Sequence, residues 1–108
     1  MQRVFNENLV GMKDETGKLI VPVLYDYVWP PENGYAVIQK FCFYGLVRIS
    51  DGKEIIPAQY THIKAKSNYI IVANNQSYGI CNLDGEIIVP TVLSKHALEE
   101  LEKIISLS

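Results

Sequence analysis

Three sets of landmarks recur along this chain at nearly constant spacing, and they constrain its fold more than any other feature. Gly11, Gly45 and Gly79 stand 34 and 34 residues apart, Gly17, Gly52 and Gly85 stand 35 and 33 apart, and Pro22, Pro57 and Pro90 also stand 35 and 33 apart. Around them the chain repeats one pattern with small changes: VGMKDETGKLIVPVLY at 10–25, YGLVRISDGKEIIPAQY at 44–60 and YGICNLDGEIIVPTVL at 78–93. Self-similarity at a fixed period marks a repeat protein. Each second glycine precedes its proline by five residues, whereas the gap between glycines is one residue longer in the middle copy, through Ile49-Ser50-Asp51. Such an insertion marks a hairpin tip, because surface turns absorb changes in length.

A period near 34 also suits helical repeats, so composition has to choose between helix and strand. A proline inside every apolar run, the Asp51-Gly52 and Asp84-Gly85 turns, and runs such as Tyr69-Ile70-Ile71-Val72 favour strands. The expected fold is mainly β: antiparallel hairpin repeats, two full units (about 9–43 and 44–77) plus a partial third (about 78–93), with one C-terminal amphipathic helix (about 95–106), all in a single domain. In the middle copy Gly45, Val47 and Ile49 share one strand face and Tyr44, Leu46 and Arg48 the other, so both faces are largely apolar. Strands of that kind pack between neighbouring units.

These landmarks resemble the WG repeats, small bacterial β-repeats named for a Trp-Gly dipeptide near the start of each unit. Tyr44-Gly45 and Tyr78-Gly79 sit in that place, followed by Asp-Gly-Lys/Glu, Ile-Ile-Pro or Val-Pro, and then Tyr25 and Tyr60. The resemblance covers about 9–94 and departs from the family at three points: Tyr for Trp, Val10 for the aromatic in the first copy, and Leu93 where Tyr25 and Tyr60 stand. It implies a β-rich interaction module without a common catalytic site. On this reading Gly11, Gly17, Pro22, Tyr44, Gly45, Gly52, Pro57, Tyr78, Gly79, Gly85 and Pro90 are scaffold, and the weaker outer copies are caps.

At 108 residues, 48% hydrophobic and 20% charged, the chain suits one ordinary globular domain. A formal net charge of −2 offers no global attraction to nucleic acid or anionic membrane. Met1–Glu15 lacks the apolar core of a signal peptide, so the expected location is cytoplasmic. Cys42 and Cys81 occupy different positions in their repeats and form no ligand or disulfide pattern; both are expected to be buried and inert. Residues 1–8 read as an extended lead-in or an edge strand. After Pro90 the period changes: Ala97, Leu98, Leu101, Ile104 and Ile105 fall on one helical face behind Ser94 as N-cap. That helix is expected to cover the open β edge of the last unit, with partner binding as the alternative.

Reactive chemistry is sparse. Gly11 to Leu19 mimics a phosphate-binding loop, but it has five residues between its glycines and Lys-Leu where Lys-Ser/Thr is needed. His62 and His96 stand outside any zinc spacing or nucleophile motif, so no metal, cofactor or catalytic residue is expected. Asp51 and Asp84 read as turn residues whose side chains bond nearby amides. Lys64 and Lys66, with Tyr60 and Tyr69, suggest a small basic-aromatic patch, for which a solvated strand face is the simpler account. The strongest candidate is Tyr25 to Tyr35, with three of the seven tyrosines, the only tryptophan and a Pro-Pro loop. Tyr25 and Tyr35 read as core there. Tyr27, Trp29 and Glu32 are the candidate partner-binding residues, because Tyr and Trp give large contact area at low ordering cost. The expected function is non-catalytic binding of another protein, as an adaptor, inhibitor or immunity-type protein, with carbohydrate or small-ligand binding as the alternative and an enzyme third.

Overall fold

A computed structural model describes residues 1–107. Among them eleven strands form three antiparallel meanders, followed by one helix. Sheet one contains β1 (Gln2–Asn6), β2 (Leu9–Lys13) and β3 (Leu19–Tyr25). Sheet two contains β4 (Tyr27–Val28), β5 (Tyr35–Lys40), β6 (Phe43–Arg48) and β7 (Glu54–Tyr60); sheet three contains β8 (His62–Ala65), β9 (Ile70–Asn74), β10 (Ser77–Cys81) and β11 (Ile87–Leu93). The helix α1 spans Lys95–Leu107. The sheets are out of phase with the sequence units. Each of the two full repeats opens in one sheet and closes in the next, so the chain itself ties neighbouring sheets together.

The two sets of glycines do different work. Val10 pairs with Tyr25 and Met12 with Val21, so between those rungs the single Gly11 faces the three residues Pro22, Val23 and Leu24. The same bulge recurs with Gly45 facing Pro57 to Gln59 and Gly79 facing Pro90 to Val92. The proline is tolerated because the ladder is interrupted at a bulge. The glycine is required because the bulged backbone lies on it: a Cβ at Gly45 would stand 2.5 Å from the Ile56 carbonyl oxygen and 2.8 Å from the Ala58 nitrogen.

Gly17, Gly52 and Gly85 instead supply the positive φ of the hairpin tips, at 91°, 70° and 87°. Two of these tips are also seats. A Cβ added at Gly52 would run into the carbonyl of Ile20 in sheet one, and one at Gly85 into the carbonyl of Ile55 in sheet two, whereas one at Gly17 would meet nothing within 4 Å. Ile88, the counterpart of Ile20 and Ile55, meets no following tip and is 60% exposed.

The tips also explain the one-residue insertion. Asp14 Oδ1 accepts hydrogen bonds from the Thr16 and Lys18 amides, and Asn82 Oδ1 does the same for Asp84 and Glu86. Arg48 occupies that register in the middle copy and cannot accept, so the longer turn brings in Asp51, whose Oδ1 accepts from the Lys53 amide at 3.1 Å. The Arg48 guanidinium bonds Asp51 at 2.7 Å, and this contact, with the Lys53 amide, holds the Asp51 carboxyl down to about 2. Asp84 departs from expectation: its side chain does not cap its own turn but accepts from Arg48 of the preceding tip at 3.1 Å. The difference follows from Asn82 already serving the amides of that turn.

Two cores lie between the three sheets. The first gathers Val10, Met12, Val21, Tyr25, Val28, Ala36, Ile38 and Val47; the second gathers Tyr35, Leu46, Ile56, Tyr60, Ala65, Ile70, Val72 and Cys81. Successive residues Leu46 and Val47 enter different cores, so sheet two is apolar on both faces because it is covered on both. Tyr25 donates to Glu54 and Tyr35 to the Leu83 carbonyl, so both hydroxyls cross to the following hairpin. On the outer side of sheet three, α1 packs against β10 and β11 with Leu98 buried, and the Ser94 hydroxyl caps it by accepting from the Ala97 amide. Tyr69, the counterpart of Tyr35, donates to Glu102 of the helix; desolvation, then that hydrogen bond, push its hydroxyl up to about 12.

Of the two readings of the N-terminal residues, the edge strand holds: residues 2–6 form β1, paired with β2. Two expectations are corrected. Ile104 is 66% exposed, so it stands off the docked face of α1. Cys81 is buried but Cys42 is exposed, because it lies with Phe41 in the two-residue tip between β5 and β6, where both adopt positive φ.

Candidate functional site

The site grows from the end of β4. Tyr27 pairs with Gln39 and the Trp29 amide donates to the Val37 carbonyl, which fixes Trp29 on the flank of sheet two before the prolines release the chain. The next turn is closed by reciprocal bonds between the Glu32 and Tyr35 backbones, with Asn33 and Gly34 at positive φ. Trp29 is therefore held by strand pairing on one side and by a short stiff loop on the other.

Its ring is also fixed. Tyr27 meets it edge-on at 4.6 Å between centroids, and Tyr44 stands tilted against it at 5.4 Å. Behind Tyr27, the Arg3 guanidinium sits 4.8 Å over the ring while Nε donates to the Val28 carbonyl at 2.7 Å. In front, an open pocket of about 570 Å³ separates the two walls. One wall carries Trp29, Pro30, Pro31, Glu32, Tyr35, Val37 and Tyr44 from sheet two and its loop; the other is the strand His62-Ile63-Lys64-Ala65 of sheet three. Trp29 and Tyr44 are half-buried, while Glu32, His62 and Lys64 are exposed at the rim.

Of the three residues grouped from the sequence, Trp29 and Glu32 line the pocket and Tyr27 does not: it buttresses Trp29 from behind. Tyr25 and Tyr35 are buried, as expected for core residues. Sequence reasoning missed Tyr44 as a lining residue, having assigned it to the scaffold, and missed the β8 wall. The Lys64-Lys66 patch is divided: Lys64 lines the pocket, Tyr60 is buried, and Tyr69 bonds the helix. Among the described residues no group of three His, Cys, Asp or Glu side chains is placed to hold a metal ion. His62 and Glu32 share the pocket, with no hydrogen bond between them.

The fold and site define a class: stacked antiparallel β-repeats with an aromatic pocket at the junction of two sheets. Residues 11–40 match the family model described as WG containing repeat, the family that the glycine and proline landmarks resemble. The match opens on the bulge glycine of sheet one and ends with β5 of sheet two, so it crosses a sheet boundary. No curated protein and no solved structure matches the chain.

Proposed function

We propose that this chain is a non-catalytic protein-binding module, of the adaptor or inhibitor kind, that takes a segment of its partner into the pocket beside Trp29. The carrying observation is that pocket: about 570 Å³, open to solvent, with aromatic rings already immobilised by mutual contact. A pocket of roughly 300–1,000 Å³ with apolar walls and few polar groups is the usual form of a binding site. Rings that need no reordering bind at lower entropic cost. The WG-repeat match supports a repeat module rather than a particular chemistry.

Purified protein used as bait in a native lysate is expected to retain a stoichiometric protein partner. Trp29→Ala, with its fold checked by circular dichroism, is expected to weaken that complex about thirty-fold or more, since a central aromatic contributes roughly 2 kcal/mol or more at a hot spot. Equal retention by Trp29→Ala, or no retained protein at all, would overturn the reading. A second reading, carbohydrate or small-ligand binding, draws on the Trp29 ring beside the polar rim of Glu32, His62 and Lys64. Glycan-array binding abolished by Trp29→Ala would support it instead.

A further inference from the structure

The two junctions between sheets are built from equivalent residues, and at one position they differ in kind. Arg3 of β1 pairs with Met12 and Val37 of β5 pairs with Leu46; Met12 and Leu46 each follow a bulge glycine, so Arg3 and Val37 are counterparts. Tyr27 and His62 are likewise counterparts, pairing with Gln39 and Ala73, which places Val28 opposite Ile63 in the comparison.

Antiparallel strands point successive peptide groups alternately toward and away from a given neighbour. In β4 the bonds to β5 fall on Tyr27 and Trp29, so the Val28 carbonyl faces the first junction, where Arg3 Nε occupies it. In β8 the Lys66 amide donates to the Tyr69 carbonyl, and the same alternation puts the bonds to β9 on His62 and Lys64. The peptide groups of Ile63 and Ala65 therefore face the second junction. The Asn33 side-chain amide takes the Ala65 carbonyl at 3.0 Å, whereas no side-chain donor among the described residues meets that of Ile63. Val37 cannot donate. The pocket opens where the guanidinium sits in the first junction, with Val37 and Ile63 in its walls.

We propose that this pocket binds the guanidinium of an arginine presented by a partner protein, a specification that rests on the protein-binding reading above. The group donates to the Ile63 carbonyl, lies against the Trp29 and Tyr44 rings as Arg3 lies over Tyr27, and faces the Glu32 carboxylate. A planar guanidinium both stacks and donates in one orientation, whereas an ammonium is a point charge with stronger hydration. Lys64 on the rim opposes a cation, but its exposed side chain is free to turn into solvent.

The test uses the full chain and the probe Nα-acetyl-L-arginine methylamide, read by Trp29 fluorescence and by amide chemical shifts. Saturable binding is expected, centred on Trp29, Val37 and Ile63, with the citrulline and lysine analogues at least about ten-fold weaker. Glu32→Gln is expected to weaken the arginine probe several-fold and Lys64→Gln to tighten it. Val37→Arg, which fills the pocket from within as Arg3 does, is expected to abolish it. No saturable response to the arginine probe, or a citrulline analogue that binds equally, overturns the proposal without reference to any partner. A Trp29-dependent protein complex indifferent to replacement of its partner's arginines also overturns it, while leaving the protein-binding reading in place. A response to the probe with no protein partner overturns the assignment of the guanidinium to a protein.

Discussion

Gly45→Ala is expected to lower the melting temperature by roughly 12 °C or more, the equivalent of about 3 kcal/mol at roughly 4 °C per kcal/mol for a domain of this size. The added methyl would stand 2.5 Å from the Ile56 carbonyl oxygen and 2.8 Å from both the Ala58 nitrogen and the Ile38 side chain. Two of these three neighbours are backbone atoms of β7, so no rotamer change relieves the overlap. The bulge that carries Pro57 would have to lift from β6, between the two cores. Folded domains hold only about 5–15 kcal/mol of net stability, so a loss of this size is read directly from a thermal melt. A variant melting within about 2 °C of the parent, under 1 kcal/mol on the same scale, would mean that the glycine strand is not covered by the proline strand.

Gly85→Ala is expected to cost about 2 kcal/mol more than Gly17→Ala, the increment being the overlap with a neighbouring sheet. Both glycines end hairpins at nearly the same φ, 87° and 91°, so the left-handed backbone penalises alanine equally at each, by roughly 1–2 kcal/mol. Only the surroundings differ. An alanine methyl at Gly85 would overlap the Ile55 carbonyl of sheet two, and at Gly17 it would meet nothing within 4 Å. Denaturant melts of the two variants separate backbone strain from stacking, and Gly52→Ala is expected to side with Gly85→Ala. Equal losses at Gly17 and Gly85 would show that the tips do not hold the sheets together.

Much of the architecture was legible in the residues because it is local. Asp-Gly turns, prolines within apolar runs and a period-two pattern need only short-range rules, and the run Tyr69-Ile70-Ile71-Val72, read as strand, supplies the start of β9. The apolar pattern on both faces of β6 also announced burial between units. What was not legible depends on pairing at a distance. Gly11, Gly45 and Gly79 read only as scaffold landmarks, like Gly17, Gly52 and Gly85. Their real constraint is a strand about a dozen residues later that bulges over them. The phase of the sheets was hidden because the chain crosses from one to the next at Asp26 and Thr61, single residues without turn chemistry of the Asp-Gly kind. Cys42 was misplaced because burial was inferred from residue type, while a two-residue tip exposes whatever occupies it.

The candidate site was half legible for the same reason. Trp29, the prolines and Glu32 are consecutive enough to stand out, and they form one wall. The opposite wall, His62 to Ala65, lies a full repeat away, and its one signal, Lys64 in a basic-aromatic patch, did not point to the Trp29 loop. The register of the copies would have pointed to it, since His62 and Ile63 are the counterparts of Tyr27 and Val28.

The proposed binding site is the pocket between sheet two and β8, on a scaffold built by the repeated glycines and prolines. Its most direct test is amide chemical-shift mapping of the isotopically labelled chain as its captured partner is titrated in. The largest changes are expected on Trp29, Glu32, Tyr44 and Ile63. Changes confined to the Phe41-Cys42 tip or to α1, with the Trp29 pocket silent, would contradict it.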